Sequence, residues 1–166
     1  MIKLIGCIMI VGAGGYIGVL QAQNLERHFQ TVKKLYRMVC EIEIMLNCSC
    51  FTVGEIVSRL NFSDEFRDFD FLNVNPSSAT VREDILIKLE SSQLLTDFDD
   101  DETALLKSFF KELGTTEIEG QLAIVSLYKK ELSLRIEKLS EQSGKKCRLY
   151  KAMGFLGGTF IAVILL

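Results

Sequence analysis

Apolar residues recur every third or fourth position at Leu25, Phe29, Val32, Tyr36, Val39, Ile42 and Leu46. That spacing marks one face of an α-helix about six turns long. Upstream the period disappears. Apart from Lys3 the first twenty residues carry no charge, and residues 4–20 are apolar or small apart from Tyr16. As a helix that run measures roughly 25 Å at ~1.5 Å per residue. Residues 152–166 are also uncharged, and would measure roughly 22 Å. Both lie at the short end for crossing a hydrocarbon core of ~30 Å. Tyr150 at headgroup level and a snorkelling Lys151 extend the second. The pattern predicts an all-α membrane protein: a transmembrane helix over 1–21, a helical bundle over 22–150 and a transmembrane helix over 151–166. Two other readings stay open. Lys3 and the Leu20-Gln21-Ala22 context would suit a cleaved signal peptide, and 152–166 would suit a fully enclosed core helix.

Between the ends the predicted elements are short. Thr52-Val53-Gly54-Glu55 is a capping-box pattern opening a helix through Val53, Ile56, Val57 and Leu60. Residues 61–75 are acidic and aromatic, with Phe62, Phe66, Phe69 and Phe71, and read as a short helix or a packed loop. Asn75-Pro76-Ser77-Ser78 predicts the start of a helix carrying Val81, Ile85, Leu86 and Leu89. Carboxylates from Asp99 to Glu102 sit where a helix dipole favours them. Leu105, Leu106, Phe109, Phe110 and Leu113 follow on one stripe, and Gly114 closes it. Thr116-Glu117-Ile118-Glu119 is another capping-box pattern. It opens a last helix of nearly 50 residues, with Gly144 as a candidate kink.

Charge adds orientation. Arg27, Lys33, Lys34 and Arg37 follow the first apolar run, and Lys138, Lys145, Lys146, Arg148 and Lys151 precede or adjoin the second. The positive-inside rule places residues 22–150 in the cytoplasm. Residues 63–119 hold 15 acidic and 5 basic side chains, while the rest of the chain holds 7 acidic and 14 basic. The membrane-adjacent helices therefore suit anionic lipid. The acidic middle is a solvated face or a docking surface for a basic partner. The net charge of −3 gives no footprint for nucleic acid.

Candidate chemistry is sparse. The five cysteines (Cys7, Cys40, Cys48, Cys50, Cys147) are odd in number, which suggests no disulfide framework and a reducing compartment. Cys48-Ser49-Cys50 lacks a second pair of metal ligands nearby. His28 is the single histidine and reads as a surface residue. Asp97-Phe98-Asp99-Asp100-Asp101 resembles the opening of a calcium loop, but Glu102 stands where that loop needs glycine and Ser108 where it needs a bidentate glutamate. Gly12, Gly15 and Gly18 mimic a dinucleotide fingerprint, yet neither a second strand nor further βα units follow. A nucleotide-binding enzyme is thereby disfavoured; no catalytic, metal or cofactor site is expected. Gly14 and Gly18, with Gly154 and Gly158, form G-x-x-x-G pairs that would let the two spans approach backbone to backbone.

Three stretches carry a resemblance. They are Met1-Ile2-Lys3-Leu4-Ile5-Gly6; Glu41-Ile42-Glu43-Ile44; and Leu113-Gly114-Thr115-Thr116-Glu117-Ile118-Glu119-Gly120-Gln121, followed by Lys129-Lys130-Glu131 and Tyr150-Lys151-Ala152-Met153-Gly154-Phe155-Leu156-Gly157-Gly158. Together they resemble the stage III sporulation protein AB family of endospore-forming bacteria over essentially the full chain. Ile42 between the glutamates and Cys48-Ser49-Cys50-Phe51 in place of a Pro-containing turn depart from its pattern. The resemblance implies similarity to the platform protein (the F component) of type II secretion and type IV pilus machines. It further implies a non-enzymatic, multi-pass subunit in the mother-cell membrane around the forespore. Such a subunit assembles the secretion-like channel complex needed after engulfment and docks a stage III sporulation protein AA-type ATPase. Glu41, Glu43, Asp97, Asp99, Asp100, Asp101 and Glu102 are the candidate partner surfaces, with membrane lipid and a homo-oligomer as further expected contacts. The alternative is a secreted or lumenal helical binding module with a cleaved signal peptide and a C-terminal anchor.

Overall fold

The computed structural model describes residues 2–48 and 51–165, and it contains no strand among them. Its α-helices are α1 (Ile2–Cys48), α2 (Val53–Phe62), α3 (Val81–Ser91), α4 (Asp100–Glu112) and α5 (Ile118–Leu165), with 3-10 turns at Asp64–Phe66, Asp70–Leu72 and Gln93–Asp97. The chain divides into two compact units: Val32–Leu134, and Met1–Thr31 together with Arg135–Leu166. The fingerprint-like glycines lie inside α1, so the strand that a dinucleotide fold needs before them is a helix here. Gly144 lies within an uninterrupted α5.

Local chemistry sets the element boundaries in the unit Val32–Leu134. The Thr52 hydroxyl accepts from the Glu55 amide at 3.3 Å, and the Glu55 carboxylate accepts from the Thr52 amide at 2.8 Å. This is the predicted capping box, satisfying two donors that the helix start leaves open. Asp99 and Glu102 make a second one, at 2.7 and 3.3 Å. Two predicted starts are displaced. α3 begins at Val81, not at Pro76. The Asn75 side chain accepts from the Ser77 amide at 3.1 Å and the Ser78 hydroxyl accepts from the Thr80 amide at 3.1 Å. Those bonds stabilise turns in the donors' place. α5 begins at Ile118, and the side chain that reaches back is Gln121, donating to the Thr116 carbonyl at 2.9 Å.

The core of this unit joins the periodic faces to the acidic loop. Met38, Ile42, Ile56, Leu60, Ile85 and Leu89 are fully buried, as are Phe66, Phe71, Phe109, Phe110 and Leu113. A run of rings links the loop to α4 and α5. Phe69 stacks on Phe66 at 6.1 Å and on Phe71 at 5.4 Å. Phe71 meets Phe110 edge-on at 5.4 Å, Phe110 meets Phe109 at 5.3 Å, and Phe109 meets Tyr128 at 5.1 Å. Such pairs contribute about 0.5–1.5 kcal/mol beyond their area burial. The loop is thus packed, built on 3-10 turns.

Two glycines are set by close approach. A Cβ on Gly54 would collide with the Pro76 carbonyl oxygen. Gly114 has φ +78° after α4, and a Cβ there would also meet Val53 Cγ2.

In the other unit, Gly14 is half-buried, and Gly18 and Ala22 are buried. These three small residues stand four apart on one face of α1. Tyr16, Ile17, Val19 and Leu20 are exposed on the rest of that turn sequence, as are Met153, Leu156, Phe160 and Ile161 of α5. Among the described residues no helix is long and apolar enough to cross a membrane. The expected spans 1–21 and 151–166 fall partly outside that set, which omits Met1, Leu166 and side chains in both segments. The Gly154–Gly158 half of the glycine pairing also lies outside it.

Candidate docking surfaces

Glu41 and Glu43 are two positions apart on α1, so they point in different directions and meet different neighbours. The Glu43 carboxylate accepts from the Lys129 ammonium on α5 at 2.5 Å. That hydrogen bond holds Lys129 above its ordinary pKa. Tyr36 is also raised, chiefly by Cys40 beside it. Glu43 is therefore committed to a contact within the chain. Ile42 between them is fully buried, a core side chain.

Glu41 is half-buried. Burial pushes its carboxyl up, and the negative charge of Glu65 adds to the effect. Glu65 itself pairs with Arg37 at 2.6 Å, and Asp68 pairs with Lys34 at 2.5 Å. Two of the basic residues after the first apolar segment are thus matched by acids of the 64–70 loop. Exposed pairs of this kind contribute about 0–1 kcal/mol each.

The acidic start of α4 splits by role. Asp99 and Glu102 are hydrogen-bonded to each other's amides, and Glu102 is buried. Asp100 and Asp101 are exposed. The Asp97 side chain lies outside the described residues. Of the carboxylates that would begin a calcium loop, Asp99 is placed to cap a helix, and among the described residues no three His, Cys, Asp or Glu side chains gather as a metal site. Ser49 and Cys50 lie outside the described set, while Cys48 is exposed and Cys40 half-buried. His28 is half-buried, not plainly on the surface.

Sequence reasoning missed a groove of about 520 Å³ lined by Glu41, Ile44 and Met45 of α1 and Arg59 and Phe62 of α2. Phe62 is 88% exposed and Ile44 60%. The Arg59 guanidinium lies 4.3 Å from the centroid of the Phe51 ring. Phe62 reads from sequence as one of four aromatics in a packed loop, but it stands two residues beyond buried Leu60. A step of two along a helix turns a side chain to the other face. That offset was the available signal. A second cavity of about 290 Å³ is bordered by Thr52, Gly54, Pro76, Arg82, Leu113 and Gly114. The first groove offers apolar side chains with one charge of each sign beside them, a lining that suits a partner's apolar side chain.

A family model described as stage III sporulation protein AB matches residues 3–166. No curated protein and no solved structure matches the chain.

Proposed function

The chain belongs to the stage III sporulation protein AB family, and from that premise we propose that it is a non-enzymatic membrane platform subunit. It assembles the secretion-like channel between mother cell and forespore, with residues 22–150 in the cytoplasm. There the domain docks a secretion-type ATPase of the stage III sporulation protein AA kind. The observation that carries this reading is where large apolar side chains face outward. Tyr16, Ile17, Leu20, Met153, Leu156, Phe160 and Ile161 are all exposed, in the two segments of the sequence that lack charge. Water disfavours such a concentration at about 25 cal/mol per Å², whereas lipid accepts it. The basic residues beside those segments suit anionic headgroups. At the start of α4 the exposed Asp100 and Asp101, rather than the capping Asp99 and Glu102, are available to a partner.

The test is co-purification from detergent extracts of sporulating cells. Wild-type chain is expected to bring down the ATPase. Asp100→Asn with Asp101→Asn is expected to weaken that recovery while leaving α4 folded, because neither residue is in the cap. ATPase absent from wild-type eluates would defeat the docking role. Chain recovered in the soluble fraction without detergent would defeat the membrane role.

A further inference from the structure

The groove between α1 and α2 lies beside its own plug. Phe62 projects from the C-terminal end of α2 with 88% of its surface exposed, and it lines the 520 Å³ groove together with the exposed Ile44 and the buried Met45. An exposed aromatic at the rim of an apolar recess is the pattern of an interface centre, where aromatic and arginine side chains dominate binding. The charges flanking that recess have opposite sign. Glu41 stands on the α1 side and Arg59 on the α2 side, with Arg59 over Phe51 and Glu41 near the acid Glu65.

We propose that this groove is where a second copy of the chain docks, the two copies related by a two-fold axis, each Phe62 seated against the other's Ile44 and Met45. In a two-fold interface the same patch meets itself, so residue i contacts j while j contacts i. Each Glu41 then faces the other copy's Arg59, twice over. A patch with one acid, one base and one apolar knob beside one apolar hole satisfies that symmetry with itself. A heterologous partner would have to supply all three features in register. The pairing also places a cation beside Glu41, a half-buried carboxylate whose nearby charge in the single chain includes the repelling Glu65. The inference does not depend on the platform role or on the ATPase.

The experiment measures self-association of the full-length chain in detergent micelles by sedimentation velocity at physiological salt. Wild type is expected to dimerise. Phe62→Asp, Glu41→Arg and Arg59→Glu are each expected to weaken the dimer about tenfold or more. Helical circular dichroism should stay unchanged, since Phe62 and Arg59 are exposed and Glu41 half-buried. The decisive arm mixes the two charge variants. Glu41→Arg chains present two positive charges and Arg59→Glu chains two negative ones, so an equimolar mixture should recover wild-type association as a heterodimer. Failure of that recovery overturns the two-fold pairing, as does a dimer indifferent to Phe62→Asp. A wild type that stays monomeric at tens of micromolar overturns it too, leaving the groove to a different protein.

Discussion

Single side chains decide where the elements of the 32–134 unit begin and how closely they approach. Thr52→Ala removes the hydroxyl that accepts from the Glu55 amide and is expected to cost about 1 kcal/mol in urea unfolding, the usual effect of losing an N-cap. Glu55 gives the same cap a pH signature. Hydrogen bonds from Thr52, first its backbone amide and then its hydroxyl, hold the Glu55 carboxyl below its ordinary pKa. A carboxyl with a lower pKa folded than unfolded contributes stability above the ordinary carboxylate range and loses it as pH falls through the depressed value. Melting temperature measured from neutral pH into the acid range should therefore decline less steeply in Glu55→Gln than in wild type. An equal slope in both would show that the bond is absent in solution. Gly54→Ala tests close approach, since the added methyl meets the Pro76 carbonyl oxygen. Displacing backbone should cost about 1–3 kcal/mol by the same unfolding measurement.

At the scale of elements, the aromatic run is what ties the acidic loop to α4 and α5. Phe109 touches both Phe110 and Tyr128 and is 1% exposed. Phe109→Ala should cost about 3–5 kcal/mol in denaturant unfolding, as other large-to-small core changes do. A loss below about 1 kcal/mol would mean that the rings do not form a shared core. The helices themselves were legible because their apolar positions repeat at the helical period, and Val32, Val39, Ile42, Ile56, Ile85 and Leu106 are buried as the stripes require. The 3-10 turns were not, since three to five residues are too few to show a period. Pro76 misled for a local reason. Its fixed φ suits a first helical turn, but Asn75 and Ser78 offer the backbone competing hydrogen bonds. Charge along the chain does not separate the paired Glu43 from the half-buried Glu41, or capping Asp99 from Asp100. The groove needs α1 and α2 side by side, a tertiary fact that no spacing along the chain contains.

For the whole molecule, the acidic and basic regions and the apolar ends bear on one question raised by the proposed membrane role, which face of a membrane the middle of the chain would occupy. The basic residues after the first segment are partly matched by acids of the 64–70 loop, through Lys34 with Asp68 and Arg37 with Glu65. Orientation then leans more on the residues just before the second segment, where Lys145, Lys146 and Arg148 cluster. Cys48 provides the readout, because it is exposed at the end of α1. A chain with Ser at the other four cysteines carries one thiol in the domain under test. A membrane-impermeant maleimide added to intact sporulating cells should leave Cys48 unmodified, and the same reagent after lysis should modify it. Both conditions need the membrane fraction, since a cytosolic chain would give the same protection without any span. Modification in intact cells would put the bundle outside, where a nucleotide-driven partner has no fuel. The lumenal binding module would then become the better account of the same helices.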